Sequence, residues 1–138
     1  MRVFLDTNVL VSAFATRGLC AELFEVVLLE HELVVGRQVL QELAKALRSK
    51  LRLSAPRIRE IVDFVTDEAE RVVDNADAAD AGVDPADARV LGEALAAGAD
   101  LIVTGDAALL RLGAIAGIAI VPPRRFWEIL RLGPASGT

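Results

Sequence analysis

Cysteine and histidine are almost absent from the chain, which contains one residue of each. A zinc site built from Cys and His side chains therefore cannot be assembled. The single thiol, Cys20, lies in an apolar helical pattern and has no second cysteine with which to form a disulfide. This usage favours a small buried side chain in a reducing compartment, and we expect a cytoplasmic protein.

Long hydrophobic runs are also absent. The best candidate, residues 112–123, is too short to span a bilayer and contains glycines and a proline pair. The N-terminal residues lead directly into a predicted strand and show no secretory pattern. We therefore expect no association with a membrane.

A basic charge balance is missing as well, because 20 Asp and Glu outnumber 15 Lys and Arg and the net charge is −5. This argues against a nucleic-acid binder that relies on positive charge alone. It does not exclude a nuclease whose acidic residues are neutralised by metal ions. The charges are segregated along the chain: basic residues cluster in 45–59, whereas 63–87 is strongly acidic.

The 138 residues are enough for one domain with its own core. We expect a single domain over residues 1–131 and a flexible tail at 132–138. Apolar runs predict strands near residues 2–5, 32–36, 72–73, 101–104 and 118–121, and amphipathic segments predict helices near 8–14, 21–30, 37–50, 56–71, 84–97, 106–112 and 125–130. This alternation predicts an α/β fold with three layers, α/β/α, around a central and mainly parallel sheet.

Four carboxylates occupy positions that favour a common site. Asp6 and Asp106 each follow a predicted buried strand, at the edge of a parallel sheet where ligands bind. Asp87 lies in the middle of a core-facing helical stripe, and Glu42 lies at the edge of another. Such carboxylates are costly to bury unless a proton, a base or a metal ion compensates their charge. Oxygen ligands suit Mg²⁺ or Mn²⁺, and these ions commonly act on phosphate esters.

Each acidic residue also has a purely structural interpretation. Asp6 and Asp106 could N-cap the helices that follow them, and Asp84 and Asp87 could form a reciprocal capping pair. Glu42 could be an ordinary solvated helix residue. Taken together, three of the acids are predicted to converge at one end of the sheet, and this favours the metal site.

The ordered motifs of the chain resemble those of PIN domains, and most closely the VapC-like bacterial and archaeal group. The resemblance covers about residues 1–130 and is carried by Phe4-Leu5-Asp6-Thr7-Asn8, by Glu42 in a helix, by Asp84-Pro85-Ala86-Asp87 and by Leu101-Ile102-Val103-Thr104-Gly105-Asp106. It implies a PIN-like fold and a single-strand ribonuclease that depends on Mg²⁺ or Mn²⁺. It further implies a toxin of a type II toxin-antitoxin system, a homodimer, and a cognate antitoxin as partner.

The resemblance also assigns roles to individual residues. The family's acids, which are both catalytic residues and metal ligands, correspond to Asp6, Glu42, Asp87 and Asp106. Its supporting polar residues correspond to Asn8 and Thr104, and Asp84 either supports the site or only caps its helix. Many members of the nearest group have a further acid where this chain has Ala108, which leaves the number of metal ions open.

Five basic side chains are candidates for contact with RNA phosphates. They are Arg17, Lys45, Arg48, Lys50 and Arg52. The alternative is a solvated helix face and loop without a binding role.

Two other functions remain open from the sequence. A phosphatase of the haloacid dehalogenase type would use Asp6 as nucleophile, but that chemistry needs a second acid where this chain has Asn8. A non-catalytic PIN scaffold that binds RNA or protein is the other alternative. The intact set of four acids argues against it.

Overall fold

The computed structural model of the protein describes residues 1–132, and the rest of the expected C-terminal tail, 133–138, lies outside the described residues. The strands are β1 (Arg2–Leu5), β2 (Glu32–Gly36), β3 (Arg71–Val73), β4 (Leu101–Val103), β5 (Ala114–Ile115) and β6 (Ile118–Val121). The helices are α1 (Thr7–Ala15), α2 (Leu19–Glu30), α3 (Arg37–Ser49), α4 (Ala55–Glu68), α5 (Pro85–Ala96), α6 (Ala107–Leu112) and α7 (Pro123–Leu132).

The strands of the described residues form one sheet in the order β3-β2-β1-β4-β6-β5. Within residues 1–132, all neighbouring strands are parallel except β5 and β6. The central strand β1 buries Val3, Phe4 and Leu5 completely, as a parallel strand does when helices cover the sheet. The predicted α/β fold with a mainly parallel sheet is confirmed.

Helix α3 is the element that connects the core to the site. Its apolar face buries Val39, Leu43 and Leu47 without any exposed fraction, and the helix contacts α1, α4 and α5. The apolar side chains recur every four residues and therefore lie on one face of the helix. Glu42 lies at the edge of this face and is half-buried, as its place beside the apolar stripe predicts.

The predicted helix over 56–71 is wrong at its end. Helix α4 ends at Glu68, where Ala69 adopts extended backbone angles, and Arg71 already belongs to β3. This strand pairs in parallel with β2. The pairing of β3 with the distant strand β2 decides where α4 ends. The spacing of apolar residues within the segment does not reveal this pairing.

Strand β5 was not predicted from the sequence. Ala114–Ile115 is only two residues long and pairs with β6 in an antiparallel hairpin. The chain reverses at Ala116 and Gly117, which both have positive φ angles, 48° and 84°. A strand of two residues is too short to show the alternating pattern by which strands are recognised.

Two helix starts also differ from the prediction by two residues. Helix α2 begins at Leu19 rather than Ala21, and α7 begins at Pro123 rather than Arg125. Proline is favoured in the first turn of a helix because its missing N–H would have no partner there. No helix within residues 1–132 has both the length and the apolar character needed to cross a membrane.

Candidate active site

Asp6 and Thr104 leave the sheet side by side because β1 and β4 are neighbours, with Leu5 paired to Val103. Both side chains are buried, with exposed fractions of 7% for Asp6 and 0% for Thr104. The hydroxyl of Thr104 donates a hydrogen bond to Oδ2 of Asp6 at 2.6 Å. The backbone N–H of Thr7 donates to Oδ1 at 2.8 Å, so that Asp6 also N-caps α1. Donors on both oxygens fix the orientation of this carboxylate.

Glu42 is oriented by two side-chain donors. The hydroxyl of Thr7 donates to its Oε1 at 2.8 Å, and Nε2 of Gln38, one turn earlier on α3, donates to its Oε2 at 2.8 Å. Thr7 therefore binds Asp6 with its N–H and Glu42 with its hydroxyl. This residue joins the end of β1 to α3.

Asp106 and Asp87 lie at the starts of two further helices. Asp106 N-caps α6 by accepting from the N–H of Leu109 at 3.0 Å, and its own N–H donates to the Thr104 hydroxyl at 3.0 Å. Asp87 is half-buried in the first turn of α5. Asp84 is the N-cap of that helix and accepts from the N–H of Asp87 at 2.8 Å. The structural interpretation of Asp6, Asp84 and Asp106 as caps is thus confirmed, and it does not exclude a second role.

The four acids of the sequence prediction line one cleft of about 270 Å³. Its lining consists of Asp6, Thr7, Asn8, Glu42, Lys45, Ala46, Ser49, Lys50, Asp87 and Asp106. Thr104 is not part of this lining; it is fully buried and binds Asp6 through its hydroxyl. Residues separated by as many as a hundred positions are therefore brought to one place.

The acids of this cleft influence one another's ionisation. The pKa of Asp87 is raised to about 6, first by burial and then by the negative charges of Asp106, Asp84, Asp6 and Glu42. Burial is also the main cause that raises the pKa of Asp6, while its hydrogen bonds from Thr104 and Thr7 lower it. A site in which carboxylates repel one another is a site that a cation stabilises.

The donor set fits a hard divalent ion, because it consists of carboxylate oxygens without a thiolate or imidazole. As the side chains are placed, no group of three or more His, Cys, Asp or Glu within residues 1–132 could hold a metal ion. The oxygens of Asp6 and Glu42 are hydrogen-bonded to their protein neighbours. A carboxylate oxygen has two lone pairs, so these bonds leave acceptor capacity for a cation.

The predicted RNA-binding side chains are divided by the structure. Lys45 and Lys50 line the acidic cleft. Arg48 lines a separate groove together with residues of α4. Arg52 follows the end of α3 and Arg17 lies between α1 and α2, and both are exposed; neither belongs to the described lining of the cleft.

Two residues that orient the site were missed by the sequence prediction. Thr7 lies inside the quoted motif, and its position next to Asp6 was a usable signal. Gln38 lies four residues before Glu42, a spacing at which helix side chains meet. The contact of Thr7 with Glu42 depends on the position of α3 relative to β1, whereas the contact of Gln38 with Glu42 lies within α3.

Residues 2–108 of the chain match the family model described as PIN domain. The match covers more than half of the chain. The protein belongs to the PIN domain family.

The fold of this PIN domain protein is also found among solved structures. A chain in the crystal structure of VapBC2 from Rickettsia felis bound to a DNA fragment from their promoter matches it with a TM-score of 0.63 and 17% sequence identity. The match covers 88% of this chain and 98% of that chain. At this identity the similarity establishes the fold. No curated protein matches the sequence significantly.

Proposed function

We propose that this PIN domain protein is a metal-dependent endoribonuclease that hydrolyses RNA phosphodiester bonds. The observation that carries the proposal is the convergence of Asp6, Glu42, Asp87 and Asp106 on one cleft in a member of this family. PIN domains generally use divalent metal ions. Burial and the negative charges of the neighbouring acids together raise the pKa of Asp87, and this supports a cation in the cleft.

In this proposal the four carboxylates would hold Mg²⁺ or Mn²⁺. The cation would supply Lewis-acid chemistry, which lowers the pKa of water and offsets the charge of a phosphoryl group. Thr104 and Thr7 keep Asp6 in place, and Thr7 and Gln38 keep Glu42 in place. Asn8 offers an amide at the exposed edge of the cleft, where it can orient an RNA phosphate or a water molecule.

The test is cleavage of single-stranded and structured RNA by the purified protein, with Mg²⁺, with Mn²⁺ and with EDTA. We expect cleavage that requires the metal ion and is lost in Asp6→Asn. Asp67→Asn serves as the matched control, because Asp67 is an exposed acid on α4, outside the described lining of the cleft. Cleavage that persists in EDTA or in Asp6→Asn would contradict the proposal.

We further propose that the protein is the toxin of a toxin-antitoxin pair and binds a cognate antitoxin. The similarity in fold to a chain of a VapBC2 complex supports this. Induced expression of the wild type should arrest growth of the host cell, whereas Asp6→Asn should not. The gene immediately upstream should encode a small protein that restores growth and co-purifies with the toxin. The homodimer implied by the resemblance stays a prediction.

A non-catalytic PIN scaffold is the second candidate, and one observation favours it. The carboxylates, as placed within residues 1–132, are not grouped so that they could hold a metal ion. Such a protein would bind RNA equally well with Asp6 or Asn at position 6 and would cleave none. The phosphatase alternative is not proposed, because it needs an acid at Asn8 and the chain belongs to the PIN domain family.

A further inference from the structure

Glu93 is a buried carboxylate outside the acidic cleft. It lies on α5, six residues after Asp87, and only 4% of its surface is exposed. Its Oε2 accepts a hydrogen bond from the backbone N–H of Gln38 at 2.7 Å, in the first turn of α3. A carboxylate is favoured at this place because the first N–H groups of a helix have no partner within the helix. A side chain of α5 thus caps the N-terminus of α3.

Gly36 makes this approach possible. It is the N-cap residue of α3 and carries no side chain that could cap the helix itself. A Cβ atom at this position would overlap Cδ and Oε1 of Glu93. The glycine and the glutamate therefore fit together as a pair, with the carboxyl group in the space that a side chain at position 36 would occupy.

The capped residue also holds an acid of the cleft. The N–H of Gln38 binds Glu93, and the side-chain amide of Gln38 donates to Glu42 at 2.8 Å. A line of hydrogen bonds consequently runs from Glu93 on α5 through Gln38 to Glu42 on α3. The same two helices carry Asp87 and Glu42, so this line ties together the elements that supply two of the four acids.

A stabilising role alone does not account for Glu93. Its Oε1 is buried and has no hydrogen-bond partner within the described residues, and a buried polar atom of this kind costs stability. Burial raises the pKa of the carboxyl group, while the hydrogen bond from the N–H of Gln38 lowers it. In some proteins a buried polar group that costs stability fixes one arrangement of its neighbours, and Glu93 is placed to do this for the first turn of α3.

We propose that Glu93 is a positioning residue, which fixes the first turn of α3 so that Gln38 holds Glu42 in its orientation in the cleft. The part that concerns catalysis rests on the proposed nuclease function. The positioning itself is a property of the hydrogen-bond line and can be measured without RNA.

The test compares Glu93→Gln with Glu93→Met. Both side chains are close in size to glutamate and fill the buried space, but only glutamine keeps an oxygen that can accept from the Gln38 N–H. The first readout is NMR of Gln38, namely hydrogen exchange of its backbone amide and the shifts of its side-chain amide. We expect exchange to be at least about 10-fold faster in Glu93→Met, with side-chain shifts moved towards those of a solvated amide, and near wild-type values in Glu93→Gln.

The second readout is the affinity for Mn²⁺, measured by electron paramagnetic resonance. Removing groups that orient metal ligands typically costs about 10- to 100-fold in metal affinity or activity. We expect a loss of this size in Glu93→Met and a loss below about 3-fold in Glu93→Gln. Gln38→Leu should show the same loss of Mn²⁺ affinity. The double variant Glu93→Met/Gln38→Leu should lose no more affinity than either single variant, because both residues act through one line of contacts. Glu25→Ala, an exposed acid on α2, is the control.

The outcomes separate the two proposals. Unchanged Gln38 exchange and side-chain shifts in Glu93→Met would overturn the positioning role. If the wild type binds no Mn²⁺ and cleaves no RNA while the Gln38 readouts change as expected, the nuclease proposal fails and the positioning role stands. If Glu93→Met does not fold, Glu93→Gln and Gln38→Leu decide the test. Losses of Mn²⁺ affinity in both variants that add up in the double variant Glu93→Gln/Gln38→Leu would overturn the proposal. Near wild-type Mn²⁺ affinity in Glu93→Gln, beside a loss in Gln38→Leu, would support it.

Discussion

Thr7 serves two carboxylates at once, since its N–H binds Asp6 and its hydroxyl binds Glu42. The positions of the acids themselves could be predicted, because strand ends and helical stripes are local patterns. The donors from distant segments could not, because the tertiary fold decides that the Thr7 hydroxyl meets Glu42 and that the Thr104 hydroxyl meets Asp6. Asp6 was found from the apolar run before it, whereas its bond to Thr104 spans 98 positions.

Thr104→Val tests the bond that holds Asp6. The substitution keeps the shape of the side chain and removes the 2.6 Å hydrogen bond to Oδ2 of Asp6, together with the acceptor of the Asp106 N–H. We expect the free energy of unfolding to fall by about 1–3 kcal/mol, because a buried acceptor loses its partner. Since this bond lowers the pKa of Asp6, that pKa should rise further in the variant.

The measurement is urea denaturation at neutral pH. Thr66→Val is the control, because the Thr66 hydroxyl bonds to the carbonyl of Val62 one turn earlier in α4, and such bonds add little to helix stability. Equal decreases in the free energy of unfolding in the two variants would mean that the bond to the buried Asp6 contributes no more than an ordinary hydrogen bond within a helix.

Asp87→Asn tests the combined effect of burial and of the neighbouring negative charges on Asp87. The pKa of Asp87 is raised from 3.8 to about 6, so between these values the folded state holds the proton more tightly than the unfolded chain. The contribution of this group to stability is therefore present at low pH and is lost as pH rises through the window. In the presence of EDTA, we expect Asp87→Asn to be more stable than the wild type at pH 7 and to show little gain near pH 4.

Thermal unfolding at the two pH values measures this difference. Asp67→Asn, which alters an exposed acid, should show no comparable dependence on pH. A stabilisation by Asp87→Asn that is the same at both pH values would contradict the raised pKa.

Helix α3 presents one side to the core and another to the cleft. The cleft side carries Glu42, Lys45, Ala46, Ser49 and Lys50, so acidic and basic groups of one helix meet in the same cavity. The amphipathic pattern predicted this helix and its buried face. The same pattern does not tell that Lys45 and Lys50 line the cleft while Arg48 lines the groove beside α4. This difference depends on where α4 packs against α3.

The placement of these basic residues predicts different effects on RNA binding. In an Asp6→Asn background, in which we expect no cleavage, Lys45→Ala and Lys50→Ala should each weaken the binding of single-stranded RNA. Each should reduce the slope of log affinity against log salt by about 0.7, the value for one phosphate contact on a single strand. Arg48→Ala should change the slope much less.

Fluorescence anisotropy at several salt concentrations gives the slopes. Arg52→Ala and Arg17→Ala belong in the same series, because both side chains were predicted to contact RNA. A slope that changes equally in all five variants would indicate diffuse electrostatic attraction, without specific contacts in the cleft.

The whole protein carries a net charge of −5 and gathers four acids in one cleft. An ion that binds the folded state and not the unfolded chain raises stability, by about 2.7 kcal/mol at 100 times its Kd. We therefore expect Mn²⁺ to raise the Tm of the wild type and EDTA to reverse the change. Differential scanning calorimetry should show no such rise in Asp6→Asn, and a full rise in Asp67→Asn.

The sequence alone determined the fold class, most helices and strands, and the four acidic positions. The reason is that the spacing of apolar residues and the ends of apolar runs are local patterns of the sequence. Strand β5, with two residues, was too short to be recognised in the sequence. The tertiary structure alone decided the end of α4 and the hydrogen bonds from Thr7 to Glu42 and from Thr104 to Asp6, since these depend on distant segments. It also showed that Glu93, an acid within an apolar helix, caps α3 across a glycine. The physical reason is the same in each case: a hydrogen bond between two elements exists only after both have packed.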